Sequence, residues 1–250
     1  MKTIAISGKG GTGKSTIAAL ILRWLSENVS QSILAVDADS NVNLNDLLGV
    51  QLKETIGAIR EEMKSKVNNL PGGMTKQQFL EYKIQSSLVE TRAFDLITMG
   101  RPEGPGCYCY ANNLLRDILN TLGENYDFVV IDNEAGMEHM SRRTMQSIDI
   151  LLIVSDPFIR GIQAAGKISR LLKELETRVK EKYLILNRVL DSIPKPVKKA
   201  VEEEGLKLLH LIPEDETLLK MDQDGNSIWN IMLKSKAYQA VDQLMKKLEL

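Results

Sequence analysis

Cysteine is close to absent from this sequence: among 250 residues there are two, Cys107 and Cys109, separated by one residue. A pair so close cannot provide a disulfide framework, so if these residues matter they matter as thiolates. Histidine is equally scarce. Only His139 and His210 occur, and His139 reads as an interface or structural residue in preference to a metal ligand. Charge of one sign is missing as well. Lys and Arg number 32 against 33 Asp and Glu, a formal net charge of −1. That balance supplies no global field to draw in a phosphate backbone or an anionic bilayer, so neither nucleic acid nor membrane is an expected partner. No apolar run approaches the ~18 to 20 residues of a membrane span. Met1-Lys2-Thr3-Ile4 leads straight into a strand pattern without the features of a cleavable signal, so the expected location is cytoplasmic.

What is present is alternation. Short apolar runs predict strands at Thr3–Ser7, Ile33–Val36, Phe94–Met99, Phe128–Ile131, Ile150–Val154, Tyr183–Leu186 and Leu208–Ile212. Between them, segments of helical period predict helices over Lys14–Glu27, Lys53–Lys66, Ala111–Leu122, Gly161–Arg178, Pro196–Glu204 and Lys234–Leu248. Strand–helix alternation implies a parallel sheet between helical layers, and uninterrupted runs such as Phe128-Val129-Val130-Ile131 imply strands buried on both faces. Loops are clearest at Pro71-Gly72-Gly73 and over Gly100–Gly106, and neither resembles a domain linker. Residues 1–250 therefore read as one domain, with 55–90 as a helical insertion.

After the first strand stands Gly8-Lys9-Gly10-Gly11-Thr12-Gly13-Lys14-Ser15-Thr16, which satisfies the phosphate-loop pattern at Gly8, Gly13, Lys14 and Ser15. Its glycines let backbone N–H groups converge on phosphate oxygens, and the following helix adds its N-terminal potential. Lys14 reaches the β- and γ-phosphates and the Ser15 hydroxyl can hold Mg²⁺. The fold class follows as α/β, a single-domain three-layer P-loop NTPase fold with a mostly parallel central sheet flanked by helices.

Lys9-Gly10-Gly11 ahead of Gly13-Lys14 resembles the deviant Walker-A P-loop of a family that includes the nitrogenase iron protein, septum-site and chromosome-partition ATPases, and metal-insertion ATPases. The resemblance implies a homodimer with ATP between the subunits, Lys9 reaching the partner's phosphates. Two acidic stations fall at carboxyl ends of strands, where ligand chemistry gathers in open α/β sheets. Asp132 suits the Walker-B acid near Mg²⁺, Asp39 matches the family's water-orienting aspartate, and Asp37 supports metal or loop geometry. Gly136 lets backbone approach the γ-phosphate. Asn187-Arg188 resembles the adenine-reading motif, and Ile212-Pro213-Glu214-Asp215 a second base-side loop.

Cys107-Tyr108-Cys109 would arise by chance in a chain this long about once in 125 times. In an extended segment the two thiols point the same way and address one ion. One chain offers two soft ligands, and a twofold dimer brings four to its axis, enough for tetrahedral Zn²⁺ or square-planar Ni²⁺. Gly106-Cys107-Tyr108-Cys109, with Gly136-Met137-Glu138-His139, resembles the CooC-type nickel-insertion ATPases of carbon monoxide dehydrogenase, while Asn133-Glu134 departs from the family's pattern. The expected activity is that of a Mg-dependent ATPase and metallochaperone. Its homodimer would form with nucleotide and metal, hold Ni²⁺ (or Zn²⁺), and serve carbon monoxide dehydrogenase or a related client. Two other readings stand beside it. One is an iron–sulfur electron-transfer ATPase; the other is a positioning ATPase on membrane or DNA. The latter's membrane form needs a basic, bulky amphipathic tail, whereas Ala240–Leu250 carries acids and no aromatic and reads as a packing helix.

Overall fold

Apolar residues in the runs noted above alternate between two faces of one sheet, and this alternation builds the core. In the computed structural model, which describes residues 1–66, 73–101, 122–135, 147–174 and 178–250, the chain forms β1 (Lys2–Gly8), α1 (Lys14–Asn28), β2 (Ile33–Ala38) and α2 (Leu44–Leu48). It continues through α3 (Ile56–Lys66), α4 (Lys76–Ser87), β3 (Val89–Glu90), β4 (Asp95–Thr98), β5 (Phe128–Asn133) and β6 (Ser147–Ser155). It closes with α5 (Ile159–Glu174), β7 (Arg178–Val189), α6 (Lys195–Glu203), β8 (Leu208–Pro213), α7 (Glu216–Gln223) and α8 (Lys236–Lys247). The eight strands lie in the order β3-β4-β2-β5-β1-β6-β7-β8. All neighbours run parallel except β3 against β4.

Ile4 and Ile6 of β1, with Ile150 and Leu152 of β6, pack on one face against Ile17, Leu20 and Trp24 of α1 and Val241, Leu244 and Met245 of α8. Ala5, Leu34, Val36 and Ile153 face the other way, toward Ile162 of α5 and Val197 of α6. Each fully buried aliphatic side chain contributes roughly 2 kcal/mol, so the C-terminal helix is bound into the core by its apolar stripe. No helix among the described residues is long and apolar enough to cross a membrane.

The helix expected over Gly161–Arg178 is corrected at both ends. It spans Ile159–Glu174, and Arg178 opens β7 instead. The reason is the length of β6, whose Ser147 and Ile148 pair with Arg178 and Val179 and draw them into the ladder. The helix expected from Lys53 begins at Ile56 because the Thr55 hydroxyl accepts from Ala58 N, which places Thr55 ahead of the first turn. The helix expected from Lys234 begins at Lys236 for the same reason, the Ser235 hydroxyl accepting from Tyr238 N. Elements α2, β3 and α7 had no counterpart in the sequence reading, and α4 falls within the helical insertion expected over 55–90. The stretch 55–90 holds α3 and α4, which meet through Ile59, Met63 and Phe79. The helix expected over Ala111–Leu122 falls, except for Leu122, outside the described residues, as do Cys107, Cys109 and Gly136.

Candidate functional site

The sheet order puts β1 between β5 and β6, so the loop leaving β1 has a strand end on either side. Gly8 pairs with Val154, and a Cβ on Gly8 would stand 2.2 Å from the Val154 carbonyl oxygen. Only glycine lets the two backbones lie this close. Gly11 and Gly13 follow at φ of +79° and +89°, a left-handed conformation that turns the chain sharply into α1. Thr12 is buried and its Oγ1 donates to Lys9 O at 2.9 Å, closing the loop on itself. Thr12 thus shapes the loop with its side chain, while Gly10, Gly11 and Lys9 remain exposed at the tip. Lys14, at the start of α1, is 7% exposed.

Across from the loop stand the two acidic stations, set side by side because Asp37 of β2 and Asp132 of β5 are register partners. Asp132 is 1% exposed. Burial pushes its carboxyl up to about 7; the Ser15 hydroxyl and Lys14 pull it down, and Asp37 and Asp39 push it up further. Its Oδ1 has no hydrogen-bond partner. A buried carboxylate with one unmet oxygen beside a serine hydroxyl suits a small hard cation, so Asp132 and Ser15 fit the Mg²⁺ that a phosphate loop uses. Asp37, wholly buried, is raised to about 6, again by burial against the opposing pull of backbone N–H groups. Its Oδ1 accepts from Asp39 N, and its Oδ2 from Asn43 N and Leu44 N, each at 3.1 Å. Of the two roles expected for Asp37, these bonds favour loop geometry, since both oxygens hold the turn that presents Asp39. Asp39 is half-buried and its Oδ1 accepts from Asn41 N at 2.7 Å. Among the described residues no group of three or more His, Cys, Asp or Glu is gathered to hold a metal.

Beside the loop on the β7–β8 side lies a cleft lined by Thr16, Asn187, Arg188, Pro213, Glu214 and Asp222. The residues expected to read a base are therefore brought to one cavity adjoining the phosphate loop. Asn187 also has a structural task. Its Nδ2 donates to Thr12 O at 2.9 Å and would stand 2.4 Å from a Cβ on Gly13. Arg188, at φ +57°, donates from Nη1 to Gly11 O at 3.1 Å. Removing the Asn187 amide leaves the Thr12 carbonyl unmet, at about 1 to 3 kcal/mol. Asn187→Ala is accordingly expected to melt earlier and to bind a fluorescent ATP analogue roughly tenfold more weakly. Unchanged affinity in an equilibrium titration would show that the brace is dispensable.

Sequence reasoning overlooked what Asp215 does. Its Oδ2 accepts from Ser235 Oγ at 2.6 Å and Ala237 N at 3.0 Å, and its Oδ1 from Thr217 N at 2.8 Å. Burial works against the charged form, yet these bonds hold its carboxyl below the usual range. One side chain thus caps α7 and ties it to α8, forming the outer wall of the cleft. The available signal was Asp215 two residues before Thr217 at a helix start.

Comparison with known proteins agrees with this arrangement. The AAA_31 family, an AAA domain, matches residues 1–186. An ATP-binding protein of Methanocaldococcus jannaschii is 42% identical, covering 98% of this chain and 97% of its own length. The carbon monoxide dehydrogenase accessory protein CooC of Rhodospirillum rubrum is 28% identical, covering 98% and 96%. Among solved structures, the cell division ATPase MinD of Pyrococcus furiosus superposes with a TM-score of 0.72 at 23% identity, covering 99% and 98%. With a phosphate loop, facing acidic strand ends and an adjoining cleft in one α/β sheet, and a family match over three quarters of its length, this chain belongs to the AAA_31 family of P-loop ATPases.

Proposed function

We propose that this protein is a homodimeric, Mg²⁺-dependent ATPase that couples nucleotide state to the handling of nickel as cargo. The thiols of Cys107 and Cys109 from two subunits would take Ni²⁺, with carbon monoxide dehydrogenase or a related nickel enzyme as client. The observation that carries this reading is the joining, in one chain, of a phosphate loop facing buried acids with an isolated Cys-x-Cys pair. The likeness to CooC over nearly the whole length supports it.

In this reading Lys14 neutralises charge on the β- and γ-phosphates and Asp39 orients the attacking water. Asp132 and Ser15 would hold Mg²⁺, which when bound screens the phosphate oxygens. Exposed Lys9 extends to the nucleotide of the second subunit. Half of the sulfur ligands come from each chain, so a shift of a few ångströms at the interface dismantles the four-sulfur site. Metal affinity and nucleotide state are coupled by that geometry, and the coupling is reciprocal.

The test is the Ni²⁺ and Zn²⁺ stoichiometry and the oligomeric mass of the reduced protein, with and without a non-hydrolysable ATP analogue. One metal per dimer is expected, responsive to nucleotide and lost in the Cys107→Ala/Cys109→Ala double variant. Absence of cysteine-dependent binding in every state refutes the nickel reading. The MinD-like fold then favours a positioning ATPase, for which co-sedimentation with liposomes or DNA in the presence of ATP is the measurement. A brown protein with charge-transfer absorption after anaerobic purification would point instead to an iron–sulfur centre.

A further inference from the structure

We propose that Glu134 is a positioning residue that yokes the Asp39 loop to the strand carrying Asp132. The inference rests on the ATPase reading above for its catalytic half and on geometry alone for its mechanical half.

Three consecutive residues leaving β5 make three different attachments. Asp132 meets the Ser15 hydroxyl at the head of α1. Asn133 is buried, and its Nδ2 donates to Ile6 O of β1 at 2.9 Å, two residues before the loop begins at Gly8. Glu134 is half-buried, and its Oε1 accepts from Ser40 Oγ at 3.1 Å. Ser40 adjoins Asp39. The tripeptide therefore reaches the start of α1, the strand that feeds the phosphate loop, and the loop that presents the water-orienting acid.

The Asp39 loop is anchored at its base, where Asp37 accepts from three of its amides. Ser40 lies on the far side of that loop, and its bond to Glu134 spans 94 positions of sequence to reach the neighbouring strand end. What the glutamate adds is an acceptor long enough to span from β5 to the loop. If Asp39 orients the attacking water, loosening this span moves the oriented group, and displacements near 1 Å cost up to ~10²-fold in rate.

Glu134→Ala, Ser40→Ala, their combination and Glu134→Gln separate position from charge. Glu134→Ala and Ser40→Ala are each expected to lower kcat for ATP by about tenfold while KM moves less than about twofold. The double variant should be no slower than Glu134→Ala, because the Ser40–Glu134 bond is already broken in that variant. Glu134→Gln keeps an oxygen that accepts from Ser40 and should retain kcat within about twofold. Hydrogen exchange over residues 39–44, read by mass spectrometry without nucleotide, should quicken in the two alanine variants and stay unchanged in Glu134→Gln. Undiminished kcat in Glu134→Ala overturns the proposal. So do additive losses in the double variant, or a Glu134→Gln as slow as Glu134→Ala. If the parent protein fails to hydrolyse ATP, the ATPase reading fails, and the exchange measurement still decides the yoke, unchanged exchange in Glu134→Ala refuting it.

Discussion

Asp132→Asn is expected to stabilise the nucleotide-free protein at pH 8 while lowering ATP hydrolysis by at least ~10²-fold. Burial raises the Asp132 carboxyl from 3.8 to about 7 in the folded chain. Between those two values the folded state binds more protons than the unfolded state, so stability falls as pH rises through the window. Below about 4 both states are protonated and nothing is lost; above about 7 both are ionised and the whole penalty is present. At 1.36 kcal/mol for each unit, the penalty is on the order of 4 kcal/mol. Asp37, raised to about 6, adds a loss of the same sign over a narrower range. His210 works the other way. Burial, then the nearby Lys247, depress its pKa, so its contribution is a gain of stability that is completed as pH rises to about 6.5. Comparing parent and Asp132→Asn removes the His210 effect. Urea midpoints of parent and variant should differ less at pH 5, where only part of the penalty is present, than at pH 8, the variant being higher at both. Equal midpoints at pH 8 would mean that Asp132 is not desolvated in solution. The same carboxylate gives Mg²⁺–nucleotide a route to stabilise the parent and not the variant, since the ion would relieve the buried charge.

Gly8→Ala is expected to cost about 3 kcal/mol or more and to remove nucleotide binding with it. The added methyl group would meet the Val154 carbonyl oxygen at 2.2 Å, and that oxygen is backbone in the centre of the sheet. It cannot rotate away as a side chain could. Relief requires β1 to separate from β6 at the point where Gly8 and Val154 pair, which displaces the phosphate loop that starts there. Gly11→Ala is the control. Gly11 has open space around its missing Cβ, so its substitution meets only the backbone penalty of φ +79°, roughly 1 kcal/mol. Thermal unfolding and nucleotide titration of the two variants separate the effects, and a Gly8→Ala protein no less stable than Gly11→Ala would contradict the close approach of the strands.

Much of this could be read before any coordinates, for reasons that differ from element to element. The phosphate loop was legible because its chemistry depends on contiguous residues, Gly8 through Ser15, and contiguity survives in a sequence. Strands β1, β2, β5 and β6 were legible because burial on both faces leaves an unbroken apolar run. The end of α5 was not legible, since Arg178 belongs to a strand only through its pairing with Ser147 of β6. Helix α7 was hidden for a similar reason: its buried attachments come through Asp215, whose partners Ser235 and Ala237 lie about twenty residues on.

Local pattern determined the class of fold and showed a phosphate-loop motif followed by acids at strand ends, because spacing along one chain encodes strand, loop and helix. The tertiary structure decided which of those acids keeps an unmet oxygen and which is spent on a turn. Asp37 and Asp132 look alike as strand-end aspartates, yet Asp37 is met on both oxygens while Asp132 keeps one unmet. It also decided that Asn187 braces the loop it adjoins, and that Glu134 reaches Ser40. Each depends on residues far apart in the chain meeting at the carboxyl ends of the strands, and hydrogen-bond partners at that range leave no periodic trace in sequence.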